Sequence, residues 1–200
     1  MELRKFIATT IREYMNENRE VLLAPNGNRS NLTPDLYNSV RTSEFKKWFG
    51  DWENNPNDAS KVIDNNGEPM VVYHTSDAEF SKFDKDKIGK NYTLRHGNGF
   101  YFSSGTLGHR QWGSSTKMFF INIRNIRKSS LSFREEAKEN GFLNTYDNSV
   151  DIASYAKKVG VDGLFAGDFF NKEFIVFEPN NIKSVDNDGT WDIGDDNIFS

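Results

Sequence analysis

Two hundred residues with 25 Lys and Arg against 29 Asp and Glu carry a formal charge of −4, which excludes the strongly basic face that broad nucleic-acid or membrane attraction requires. With no cysteine, disulfides and thiolate metal sites are ruled out, and a cytoplasmic location is the expectation. This length closes one hydrophobic core with a small appendage, and 17 Phe, 7 Tyr and 4 Trp make that core, and any ligand pocket in it, rich in rings.

From Leu3 to Met15 the apolar residues Leu3, Phe6, Ile7, Ile11, Tyr14 and Met15 recur at helical spacing, with Arg4, Lys5, Arg12 and Glu13 turned away. The spacing predicts an amphipathic helix. Its charges are those of neither a signal peptide nor a membrane span, and no other apolar run approaches bilayer length. Residues 24–34, APNGNRSNLTP, are loop chemistry, and Thr33-Pro34-Asp35 reads as a capped helix start. The segment SEFKKWFGDW, Ser43 to Trp52, opens like a second capped helix and concentrates rings before the turn at Asn54 to Asn57. Residues 1–66 are therefore expected as a helical extension packed on a domain of residues 67–200.

After the turn at Asn65, Asn66 and Gly67, the run PMVVYH puts Met70, Val72 and His74 on one face of a strand that His74 ends. Residues 84–98 are polar and glycine-containing, a surface loop, before a strand over 99–103. Strands are also expected over 118–123, 162–166 and 173–177, and helices over 132–140 and 149–159, the second stopped by Gly160. The tail after Lys183 is rich in Asp and Gly and is read as irregular. Short strands with few interspersed helices make the class α+β.

Taken singly, the chemistry-bearing residues are weak signals. A histidine at a strand end is more often structural than catalytic, and Tyr101 in an aromatic strand is ordinarily core. Glu173 is more pointed, since a carboxylate opening the strand EFIVF faces inward only with a partner. The pair Gly97 and Gly99 lacks the third glycine and the flanking elements of a dinucleotide fingerprint. His96 and His109 lack zinc spacing, so no metal is expected. Ser184 to Asp195, with Asp186, Asp188, Gly189, Asp192 and Asp195, only faintly imitates a calcium loop and is read as a solvated tail. Lys117, Arg124, Arg127 and Lys128 form either a basic stripe or a solvated strand edge.

In combination these residues say more. The segments VVYHTS (71–76), GNGFYFSS (97–104) and NKEFIVFEP (171–179) occur in this order. Together they resemble the His-Tyr-Glu class of ADP-ribosyltransferases, the poly(ADP-ribose) polymerase and diphtheria-toxin-like superfamily, whose motifs run His-Gly-Thr/Ser, Gly-x-Gly-x-Tyr-Phe and Glu-Tyr-Ile-Val-Tyr. The stretch from Arg41 to Val62, around RTSEFKKWFGDW, and the ending PNNIKSV (179–185) are similar to such modules in polyvalent proteins of bacteriophages and other mobile elements.

The resemblance implies a fold of two small, roughly perpendicular antiparallel sheets forming a cleft for NAD. It implies mono-ADP-ribosylation of a macromolecule, most simply a bacterial host protein, with nicotinamide released; a nucleic-acid acceptor stays open. It assigns Glu173, His74 and Tyr101 as catalytic, and His74, Thr75, Ser76, Gly99, Phe100 and Tyr101 to NAD, with Trp112 by spacing a second stacking aromatic. Glu173 would stabilise the cationic ribose centre and activate the acceptor, His74 would bind the adenosine-side ribose, and Tyr101 would stack on nicotinamide. Thr75 stands where the family has glycine, and its branched side chain narrows the pocket; something around His109 replaces the family's serine donor. The same triad serves an NAD glycohydrolase, and the same fold a catalytically silent binding module. Residues 84–98 and 165–172 flank the expected site and are where acceptor recognition is expected.

Overall fold

The computed structural model describes residues 5–7, 10, 21–88, 98–105, 113–143, 149–167 and 172–200. Of the helix expected over 3–15, residues 5–7 and 10 are helical and the others lie outside the described residues.

Two short helices follow the described loop of residues 21–33. Helix α1 (Pro34–Val40) is capped by Thr33, whose hydroxyl accepts from the Leu36 amide, and Pro34 occupies the first turn, where no amide donor is needed. Helix α2 (Ser43–Phe49) is capped by Thr42 and ends at Gly50. Gly50 has φ 96°, and a Cβ there would lie 2.4 Å from the Ala59 Cα, so the turn requires glycine. Seven-residue helices do not persist alone. These persist by burying Val40, Phe45, Trp48 and Phe49 in one cluster with Trp52, Ala59, Phe120 and Trp191. Phe45 is its hub, edge-on to Trp191 at 4.8 Å and stacked on Phe49 at 5.1 Å. Since Phe120 belongs to the sheet and Trp191 to the C-terminal segment, helices and sheet share this core. An ion pair also ties the end of α1 to the turn before β1: the Arg41 guanidinium reaches both oxygens of the wholly buried Glu68, at 2.9 and 3.1 Å.

The sheet contains β1 (Val72–Ser76), β2 (Phe100–Ser103), β3 (Ser115–Ile121), β4 (Ile126–Lys128), β5 (Gly163–Gly167), β6 (Lys172–Val176) and β7 (Ile182–Ser184), with α3 (Leu131–Glu139) and α4 (Ile152–Lys158) between β4 and β5. The order is β4-β5-β6-β2-β1-β3-β7. The α+β class holds, but among the described residues the two expected sheets are one seven-stranded sheet, mixed because β4 and β5 run parallel. The reason lies at a seam: β1 and β2 are joined through one pair, Tyr73 with Ser103. On either side the ladders are fuller, five pairs from β1 to β3 and four from β2 to β6.

Alternation along the strands divides the core. One face carries Val72, Phe100, Phe102, Phe119, Phe174 and Val176, closed by Val62, Phe83 and Ile198. On the other face, Leu164 and Ile175 lie under α3 and α4 at one end, and Phe120 lies under α1 and α2 at the other. The C-terminal segment is irregular as expected, yet it is not a solvated tail, since Trp191 and Ile198 are buried. Lys183 is buried too, and its ammonium donates to the carbonyls of Asp195 and Asn197 at 2.9 and 2.8 Å.

Candidate functional site

At the seam the backbone ladder gives out and a side chain takes over. His74 follows the last β1–β2 pair, and its Nδ1 lies 2.8 Å from the carbonyl oxygen of Tyr101 on β2. A carbonyl only accepts, so Nδ1 carries the proton and, in the neutral ring, Nε2 is the acceptor. The ring is half-buried among Phe83 at 5.1 Å, Phe102 at 5.5 Å and Phe80 at 6.2 Å. His74 lies in mid-strand and does not end β1, because Thr75 and Ser76 continue the ladder opposite Thr116 and Ser115.

Glu173 on β6 pairs with Ser103 on one side and Ala166 on the other. Directly opposed residues share a face, so Ala166, Glu173, Ser103, Tyr73 and Met118 form one row across β5, β6, β2, β1 and β3. The row runs between the two helical layers from buried Ala166, through half-buried Glu173, Ser103 and Tyr73, to exposed Met118. Tyr101 pairs with Ile175, which makes it the diagonal neighbour of Glu173, a separation of about 7–8 Å. Its ring is partly buried against the α3–α4 cluster. Thus His74, Tyr101 and Glu173 all stand within two ladder positions of the Tyr73–Ser103 pair. By alternation His74 lies with Phe83 and Phe102 on one face of the sheet and Tyr101 with Glu173 on the other, and the bond from His74 to the Tyr101 carbonyl ties the two sides together.

The other residues singled out in the sequence fall into place differently. Thr75 turns its hydroxyl to that of Thr116 at 2.8 Å, across the ladder to β3. The Ser76 hydroxyl accepts from the Ala78 amide and closes the turn after β1. There Asp77 accepts from both the hydroxyl and the amide of Ser114, which hold its carboxyl below the usual range. A Cβ on Gly99 would lie 2.4 Å from the Ile175 side chain, so this glycine lets β2 approach β6. Phe100 is buried in the ring core, 5.1 Å from Phe83. Trp112, His96 and His109 lie outside the described residues. Of loop 84–98, Lys85–Lys87 form a single 3-10 turn capped by Asp84, and 89–97 lie outside. Of 165–172, the ends belong to β5 and β6, and 168–171 lie outside.

The acidic stretch after Ser184 is turn chemistry. Asp188, Asp192 and Asp195 each accept a backbone amide two residues on, and the cation at its centre is Lys183. Burial pushes the Lys183 pKa down, against the upward pull of Asp195, Asp192, Asp196 and Asp188. Among the described residues no group of three metal-ligating side chains occurs. Of the two readings of the cations at 117–128, the stripe is not formed: Arg124 donates to the Trp48 carbonyl, and Arg127 pairs with Glu136. Lys117 stands apart from both, opposite His74 on β3. Sequence reasoning gave it no role at the site, because strand register carries that information.

The sequence pattern of ADP-ribosyltransferases in polyvalent proteins matches residues 64–191. No curated protein and no solved structure matches the chain.

Proposed function

This chain belongs to the family of ADP-ribosyltransferases in polyvalent proteins, and we propose that it transfers ADP-ribose from NAD to a macromolecular acceptor, a bacterial protein, as a phage or mobile-element effector in the host cytoplasm. The observation that carries this reading is that Tyr101 and Glu173 are neighbours on one face beside the Tyr73–Ser103 pair, with His74 bonded from the other face to the Tyr101 carbonyl. The catalytic domain is taken as residues 67–200, with residues 1–66 a helical extension whose α1 and α2 share its core.

The donor set fits NAD. With its proton committed to the Tyr101 carbonyl, His74 offers Nε2 to a ribose hydroxyl, which donates. Tyr101 offers a flat ring to nicotinamide. NAD supplies an ADP-ribosyl group on a carbon–nitrogen bond whose cleavage builds positive charge at the anomeric carbon. Glu173, half-buried beside the seam, sets its carboxylate where water screens it less, and so stabilises that developing charge. The same carboxylate accepts the proton of the incoming acceptor, while nicotinamide leaves with the bonding pair.

The test is incubation of the purified protein with NAD labelled in its adenylate part and a bacterial lysate, following free nicotinamide and label on macromolecules. Label on a discrete protein band is the expected result. Nicotinamide release with no label attached would replace transfer by NAD hydrolysis. Untouched NAD would refute the enzymatic reading and leave a binding module.

A further inference from the structure

Beyond the seam, the β1–β3 ladder sets Lys117 directly opposite His74, so the two side chains stand side by side on one face. A second observation ties them together. The Lys117 ammonium lies over the Phe80 ring, 5.1 Å from its centroid, and the same ring meets His74 edge-on at 6.2 Å. Lys117 pairs with Glu79, Nζ to Oε2 at 2.6 Å, and the two partners differ sharply in exposure: the Lys117 side chain is 25% exposed and that of Glu79 85%. The cation is fixed against an aromatic face and mostly withdrawn from water, while its anion hangs in solvent from the turn after β1. A carboxylate so exposed holds its partner weakly.

We propose that Lys117 binds the pyrophosphate of NAD, and that Glu79 occupies the ammonium until the dinucleotide displaces it. This rests on the NAD reading above. If His74 holds a hydroxyl of the adenosine-side ribose, the phosphates begin at O5′ of the same sugar, and a cation beside the imidazole is placed to meet their negative charge. An ammonium suits this role, since it presents three donors as a compact charge and makes strong bonds to phosphate oxygens. Displacement of Glu79 costs little, because its carboxylate is already almost fully hydrated.

Two substitutions separate this role from a structural one. Lys117→Met and Glu79→Gln both break the ion pair, so a merely structural pair would move both variants in the same direction. The proposal requires opposite directions. Calorimetric titration with NAD and with ADP-ribose is expected to show binding weakened about 10- to 100-fold in Lys117→Met. Glu79→Gln should tighten it about two- to five-fold, through loss of the internal competitor. Lys117→Arg, which keeps the charge, should stay within about three-fold of wild type. Wild-type affinity in Lys117→Met, or weakening in Glu79→Gln to match it, overturns the assignment while the NAD reading stands. A wild-type protein that binds neither NAD nor ADP-ribose overturns both.

Discussion

Replacing Arg41 by Met removes the partner of a carboxylate that has no access to water. The Glu68 side chain is 0% exposed, and among the described residues Arg41 is the hydrogen-bond donor to its oxygens, at 2.9 and 3.1 Å. Breaking a buried pair from one side leaves an uncompensated charge and costs about 3–5 kcal/mol. Stacking of the guanidinium on Tyr37, 3.5 Å from the ring centroid, adds about 0.5–1 kcal/mol to the loss. The salt bridge to Glu53 at 3.1 Å is partly exposed and adds little. For a chain of this size each kcal/mol moves the melting temperature by about 2–4 °C, so a fall of roughly 7–24 °C is expected in a thermal melt followed by circular dichroism. The double variant Arg41→Met, Glu68→Met removes the stranded charge with its partner and should recover much of the loss. A single variant within about 1 kcal/mol of wild type, or a double variant less stable than the single one, would refute this account of how α1 is fixed to the segment before β1.

Lys183→Met should destabilise by about 1–3 kcal/mol in urea titrations, because the carbonyls of Asp195 and Asn197 lose their buried donor. Burial lowers the Lys183 pKa from 10.5, so between the lowered value and 10.5 the unfolded chain binds more protons at this site. Wild-type stability, measured relative to the variant, should therefore rise with pH through that window; a relative fall would mean that the pKa is raised. Gly113→Ala would put a Cβ 2.7 Å from the Ser76 carbonyl carbon at a residue with φ 151°. A loss of about 1–3 kcal/mol is expected from denaturant unfolding, and an unchanged midpoint would mean that the contact of residue 113 with the end of β1 yields.

The parts of the fold that the sequence reveals are those set by local chemistry. Thr33 and Pro34 start α1, Gly160, with φ 74°, follows α4, and the rings of β2 alternate between the faces as their spacing implies. The C-terminal extension of β1 was not legible, because Thr75 and Ser76 are held by their partners on β3 more than by apolar pattern. Strand β4 escaped notice as three residues with two cations, held by parallel pairing to β5. Strand β7 and the segment after it read as polar because their asparagines and aspartates cap turns; the burial rests on Trp191, Ile198 and a lysine aimed inward. The buried pair of Arg41 and Glu68, 27 positions apart, leaves no local trace. For the site, the order of three motifs pointed to His74, Tyr101 and Glu173. The seam that gathers them is a property of register, and so is the place of Lys117 beside His74.

The central claim is that Glu173 supplies the negative charge for cleavage of the nicotinamide bond. Glu173→Gln keeps the shape and removes the charge, so nicotinamide release from NAD, measured beside calorimetric NAD affinity, isolates that charge. Release should fall at least about 100-fold in kcat, with affinity within a few-fold of wild type. A Glu173→Gln protein that binds NAD and releases nicotinamide at the wild-type rate would contradict the account.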